Sequence, residues 1–235
     1  MIINPINWRS IGKVPTIEQI EDYIFEVINN LDCRNLALSG GIDSSYMLWC
    51  MVQKFGNDIN CFTIALNHSH PDYIYSKQIT KLLGVNWHCY IPSDKEVKEL
   101  LEDKNGDLIV AKFFTWLEAK ERITEIICCD GIDEFMGGYY DHLHNPTHET
   151  YYDYMIRLQK EQFEPLHKNS GKIDVLLPYM NRNLIELYNR IPMIDRFDAV
   201  GGRKKIMVEL AKDKIPEEII NRRKYGFIDA MKIKE

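Results

Sequence analysis

Ser39-Gly40-Gly41-Ile42-Asp43-Ser44-Ser45 packs hydroxyls, a carboxylate and two adjacent glycines into one short run. Paired glycines permit a tight turn whose amides stay open to a ligand, and a helix starting just after the turn favours oxygen anions. Ser39, Ser44 and Ser45 can donate hydroxyl hydrogens, and Asp43 can hold magnesium or organise the loop. The run carries neither the Gly-x4-Gly-Lys-Ser/Thr pattern nor the GxGxxG pattern of other phosphate loops. Spacing alone leaves two readings open, a phosphate cradle and a structural turn. A second cluster, Asp130-Gly131-Ile132-Asp133-Glu134 followed by Gly137-Gly138-Tyr139, crowds three carboxylates into five residues. Such crowding is tolerated in a cleft where magnesium or basic groups compensate, and it is equally at home in a solvated acidic turn.

The elements around these clusters decide where they stand. Thr16 and Gln19 form a capping box ahead of an amphipathic helix expected over 17–31. Short apolar runs at 35–38, 59–66, 85–91 and 123–129 read as strands. Between them, residues 43–55, residues 71–83, a short segment opened by Ser93 and Glu96, and 107–120 read as helices. Alternation of this kind implies a parallel sheet whose ligands sit outside the C-terminal ends of the strands. The first cluster follows the first strand and the second follows the fourth. Beyond Gly131 the chain becomes rich in Gly, His, Asp and aromatics, and then mostly helical at 148–168, 181–190, 203–214 and 217–224. The expected fold class is therefore α/β, a core over 16–140 followed by a mainly helical segment over 141–235, in one domain spanning 1–235.

Composition removes several function classes. With 29 Lys and Arg against 35 Asp and Glu, the net charge of -6 offers no basic stripe to nucleic acid. No apolar run is long enough for a membrane span, and MIINPINWRS has neither the charged nor the apolar region of a signal peptide. A cytoplasmic location is expected. The six cysteines form no CxxC pair, and Cys128-Cys129 read best as small hydrophobes in an apolar run. His142, His144 and His148 lie close in sequence but follow no zinc spacing.

The complete SGGIDSS string resembles the pyrophosphate loop of N-type ATP pyrophosphatases, whose core is a HUP-like parallel sheet. DGIDEFMGGY resembles the asparagine synthetase string SGEGxDExFGGY in the same order along the chain. The resemblance implies that Ser39, Gly40, Gly41, Ser44 and Ser45 hold the pyrophosphate of ATP. It also implies that Asp43 and Asp133 coordinate magnesium on it and that Gly131 lies near the adenylate. Leu38 and Ile64 would contact adenine, although both also read as strand core. Asp174-Val-Leu-Leu-Pro178-Tyr-Met-Asn181 is similar to the family's Glu-x-Arg-x-Pro-Phe-Leu-Asp, which makes Asp174 a candidate catalytic group. In Gly201-Gly202-Arg203-Lys204-Lys205 the family's catalytic lysine matches best at Lys205, with Lys204 as the other choice. A solvated helix start would read the same way. Ile215-Pro216 to Arg222-Arg223-Lys224-Tyr225-Gly226-Phe227 resembles the family's LPxxIxxRxKxGF ending, whose Arg222 and Lys224 either meet phosphate or form a basic helix end.

Taken together, the resemblance implies an ATP- and magnesium-dependent ligase that activates a small carboxylate as an acyl-adenylate, releases pyrophosphate and transfers ammonia or an amine. Leu176, Asn181 and Glu209 stand where the family carries Arg, Asp and Arg, which implies an altered acceptor pocket. Glutamine-using relatives resemble a fusion to an N-terminal glutaminase with Cys at residue 2. Here residue 2 is Ile and about 35 residues precede the first strand, so ammonia is expected from solution or from a separate amidotransferase. A sulfur-inserting ATP pyrophosphatase and a noncatalytic ATP-binding regulator are the alternatives.

Overall fold

The computed structural model describes residues 12–103, 106–196 and 202–223. Their contacts divide the chain into two compact units that interleave in sequence. One contains 33–128, 166–176 and the residues from 213 onward; the other contains the chain up to 32, 129–165 and 177–212.

The first unit is built on a five-stranded, wholly parallel sheet. Its elements are β1 (Asn35–Ala37), β2 (Asn60–Ile64), β3 (Asn86–Tyr90), β4 (Glu125–Ile127) and β5 (Asp174–Leu176), ordered β3-β2-β1-β4-β5. Parallel strands covered by helices on both faces are continuous apolar runs, and Leu36, Cys61, Phe62, Ile126 and Ile127 are buried accordingly. An asparagine ladder crosses the N-terminal edge: Asn86 donates to Asn60 Oδ1, Asn60 to Asn35 Oδ1, and Asn35 to the Glu125 carbonyl. In-register amides of this kind discriminate against a strand slip, because a slipped ladder leaves them without partners. Chain order reverses beside β1, and ligands of doubly wound sheets bind outside the strand ends at such a switch point.

Helices α2 (Ile42–Phe55) and α3 (Pro71–Leu83) complete the βαβ crossovers. Pro71 opens α3 where a missing amide costs nothing, and left-handed Gly84 closes it. Next come α4 (Asp94–Glu102), capped by a Ser93–Glu96 box, and α5 (Asp107–Trp116), which widens into a π turn over 117–121. The segment expected to be mainly helical supplies β5, which pairs Asp174 with Glu125 and Leu176 with Ile127. Three residues are too few to show a strand period, so pairing with β4 rather than local pattern determines it.

The second unit is helical. It contains α1 (Ile17–Asn29), α6 (Ile132–Met136), α7 (Tyr140–His144), α8 (His148–Leu158), α10 (Arg182–Tyr188) and α11 (Lys205–Ala211). The helix α9 (Glu164–Asn169) straddles the division, and α12 (Glu217–Ile220) belongs with the sheet. Ile20, Ile24 and Ile28 form the buried stripe of α1. The acidic run forms α6, between left-handed glycines at 131 and 137. Among the described residues no helix is long and apolar enough to cross a membrane.

Candidate functional site

In the sheet unit, Ser39-Gly40-Gly41 turns the chain from the C-terminal end of β1 into α2. Gly40 has φ +68, and a Cβ there would collide with the α3 backbone, 2.6 Å from the Tyr75 carbonyl carbon. Both the conformation and the space therefore require glycine. Ser39 Oγ accepts from the Gly41 amide at 3.3 Å and lies 3.3 Å from Ser44 Oγ. Asp43 sits in the first turn of α2, where the helix dipole favours negative charge and anionic ligands. Ser45 is fully buried, and its hydroxyl has no hydrogen-bond partner among the described residues. An orphaned hydroxyl beside an open glycine turn fits a phosphate-binding loop, since burial without a partner costs stability that a ligand can return.

Below the turn the strand end is rigid. The Leu38 amide donates to the Phe62 carbonyl at 2.8 Å, and the Leu38 carbonyl accepts from Thr63 Oγ1 at 2.7 Å. Thr63 Oγ1 in turn accepts from Trp87 Nε1 at 3.0 Å. Leu38, one residue past β1, is buried with its amide and carbonyl both bonded to β2, and half-buried Ile64 ends β2. Asp174 is exposed at the N-terminal start of β5, its amide bonded to the Thr124 carbonyl. In a parallel sheet that is the edge opposite to the Ser39 turn. The structure thus does not bring Asp174, expected as a catalytic group, to the ligand edge, and the cause is the β4–β5 register.

The helical unit assembles the acidic cluster with a lysine. Lys204 Nζ lies 2.7 Å from Asp133 Oδ1, the two side chains 7% and 20% exposed. Lys204 has φ +59, a left-handed conformation that is strained for a side-chain-bearing residue, and it caps α11. That kink sends Lys204 inward and leaves Lys205, the first residue of α11, exposed with its amide bonded to the Arg196 carbonyl. Of the two lysines weighed for the catalytic position, the structure therefore sets Lys204 against Asp133 and Lys205 at the surface. Gly138 completes the arrangement: a Cβ there would strike Asp133 Oδ1 and approach Lys204 Cε to 2.7 Å. Arg203 reaches the other side of the glycine, donating to the Gly138 carbonyl at 2.7 Å with its guanidinium 3.9 Å from the Tyr140 ring centre. Gly131, at φ +90, packs on the Met180 side chain.

Around this pair the polar groups are locked. Glu134 is buried and accepts from Tyr139 Oη at 2.7 Å; burial, and then the nearby Glu134 charge, push the Tyr139 phenol far above its ordinary pKa. Tyr139 stacks on Tyr154 at 4.2 Å. His142 Nδ1 accepts from the Tyr139 amide, which gives this buried imidazole a structural duty. Asn181, at the position of the family's Asp, caps α10 through the Asn183 amide, a task either residue performs. Arg203 and the buried Arg196 escaped the sequence reading, because an arginine bound to backbone carbonyls leaves no spacing signal. Gly201, Lys224 and Gly226 lie outside the described residues.

Residues 35–174 and 167–234 match the asparagine synthase family. The chain belongs to that family. A probable glutamine-hydrolyzing asparagine synthetase of Acanthamoeba polyphaga mimivirus is 23% identical over 94% of this chain. The chain spans 45% of that relative's length. Among solved structures, an NH3-dependent NAD synthetase from Campylobacter jejuni aligns over 86% of this chain and 96% of its own, with 15% identity and a TM-score of 0.38. An NMN synthetase from Francisella tularensis aligns over 93% and 78%, with 15% identity and a TM-score of 0.37.

Proposed function

We propose that this asparagine synthase family member is an ATP- and magnesium-dependent, AMP-forming ligase that joins a small carboxylate to ammonia or an amine. The carboxylate oxygen attacks the α-phosphorus, the bond to the β-phosphate oxygen breaks, and pyrophosphate leaves. Nitrogen then attacks the acyl carbon, AMP leaves, and the nitrogen loses a proton. The observation that carries the reading is the pair of buried Lys204 and half-buried Asp133 held against Gly138. An ammonium held in place by a carboxylate is suited to stabilise developing phosphate or acyl oxygen charge, and binding that strengthens in the transition state accelerates the step. The catalytic lysine in this reading is Lys204.

The Ser39–Ser45 turn holds the pyrophosphate end of ATP through its amides and hydroxyls, with the Ser45 hydroxyl gaining the partner it lacks. Asp43 and Asp133 are the carboxylates assigned to magnesium, which when bound offsets phosphate charge.

The test incubates purified protein with ATP, magnesium, a panel of carboxylates and isotopically labelled ammonia, amines or glutamine, and follows nucleotides and label by mass spectrometry. AMP, pyrophosphate and label in an amide are expected. Release of ADP and phosphate would overturn the mechanism.

A further inference from the structure

Arg222 lies far from the glycine turn in sequence, yet its guanidinium is built into the base of that turn. Nη1 donates to the Ser39 carbonyl at 2.8 Å, Nη2 pairs with Asp72 in the first turn of α3, and the group lies 5.0 Å from the Tyr75 ring centre. The Arg222 and Asp72 side chains are only 7% and 15% exposed. The guanidinium gives Nη1 to a backbone carbonyl and Nη2 to a carboxylate, and its buried Nε has no partner among the described residues; the Asp72 charge offsets its own before any anion arrives.

The Ser39 carbonyl belongs to the peptide plane that carries the Gly40 amide, and in a trans peptide the two bonds point in opposite directions. Fixing the carbonyl therefore fixes the direction of Gly40 N–H. Thr63 fixes the preceding plane in the same way through the Leu38 carbonyl. Glycine at φ +68 is the residue most free to flip its peptide, and here the α3 backbone crowds it while Arg222, itself held on α3 by Asp72, clamps the Ser39 carbonyl. We propose that Arg222 is a positioning residue: by clamping the Ser39–Gly40 peptide it aims the Gly40 amide at the pyrophosphate end of the nucleotide. The inference rests on the assignment of the turn to ATP. Its consequence is that the chain's C-terminal segment, through α12 and Arg222, sets the shape of a loop formed near its beginning.

Two measurements on the full chain test this. Calorimetry with magnesium-ATP and with magnesium-pyrophosphate compares wild type with Arg222→Ala, Arg222→Lys and Asp72→Asn, each checked by a thermal melt. Lysine keeps the charge but loses the fork, so Arg222→Lys is expected to fall with Arg222→Ala, each by about tenfold or more in affinity. Asp72→Asn is expected to weaken binding, because the carboxylate holds the guanidinium on the Ser39 carbonyl. Wild-type affinity in Arg222→Lys, or tighter binding in Asp72→Asn, would show a direct charge contact with phosphate and overturn the positioning role. Equal affinity in Arg222→Ala would overturn it as well. The second measurement is amide hydrogen exchange at Gly40 in nucleotide-free protein, expected to accelerate in the Arg222→Ala and Arg222→Lys variants; unchanged exchange in both would sink the proposal. If wild type binds neither ligand, the assignment of the turn to ATP fails, and the exchange experiment still decides the clamp. Should Arg222→Ala fail to fold, the other two variants carry the test.

Discussion

Lys204 Nζ and Asp133 Oδ1 are held 2.7 Å apart against a glycine whose missing side chain leaves the room for both. Such a pair holds a cation at a fixed place, which a solvated lysine does not. The adjacent Lys205 is exposed and pays no conformational cost for its position. Lys204→Ala is therefore expected to slow formation of the adenylated intermediate by on the order of 10²-fold or more while reducing ATP binding far less. Lys205→Ala should stay within about twofold of wild type, as exposed substitutions usually do. Single-turnover chemistry set beside equilibrium ATP binding checks both, and the opposite ranking would return the role to Lys205.

Gly138→Ala tests the same geometry without removing a charge. The new methyl would displace the Asp133 carboxylate and the Lys204 stem together. Overpacking of this kind costs about 1–3 kcal/mol, modest beside the expected loss of adenylation. A variant with wild-type turnover would show that the ion pair can move without consequence.

The alternating apolar runs make the sheet and its crossovers legible, and α3 starts and stops at the residues its proline and glycine announce. That Lys204 rather than Lys205 meets Asp133 was invisible for a physical reason. It depends on a left-handed backbone at a lysine, which residue type disfavours and only the surrounding packing imposes. Strand β5 is likewise a product of pairing rather than of pattern, and with it the placement of Asp174. A motif alignment orders residues along the chain, whereas register decides which edge of the sheet each one reaches.

Ser45→Ala separates stability from function. The hydroxyl is buried without a partner among the described residues, a state that costs stability in the nucleotide-free protein. Its removal should leave the melting temperature unchanged or raise it, while weakening pyrophosphate binding. A lowered melting temperature with intact binding would mean that the hydroxyl serves the fold instead.

Arg196 is a structural counterpart to the site lysine. Buried, with its pKa pulled down to about 9 by desolvation, it donates to the carbonyls of Phe135, Tyr188 and Ile191. It thereby ties the end of α6, which carries Asp133, to the end of α10. Arg196→Ala removes this donor while the Phe135 and Tyr188 carbonyls keep the Tyr151 hydroxyl and the Ile191 amide, and it should cost about 1–3 kcal/mol. Arg196→Lys cannot supply the fork and should recover only a fraction. Denaturant unfolding of both variants provides the check, and near-wild-type stability would deny the tie.

His70 gives the sheet unit a pH dependence of known sign. Its Nδ1 accepts from the Asp72 amide as the cap of α3. Burial lowers its pKa, Asp72 opposes that shift and Arg222 adds to it, so the net folded pKa lies below the ordinary value. The unfolded chain, at about 6.5, therefore binds a proton before the folded one does. The stability this group supplies is complete above that pH and is lost as pH falls toward the depressed folded value. Protonation also turns the Nδ1 acceptor into a donor, so the cap is lost as a buried charge is gained. His70→Asn keeps a cap acceptor and does not titrate. The wild-type unfolding free energy minus that of the variant should decline below about pH 6.5, by at most roughly 1.4 kcal/mol per pH unit for one proton. Denaturant melts of both proteins across that range subtract every other titrating group; a flat difference, or one that rises as pH falls, would contradict the neutral buried cap.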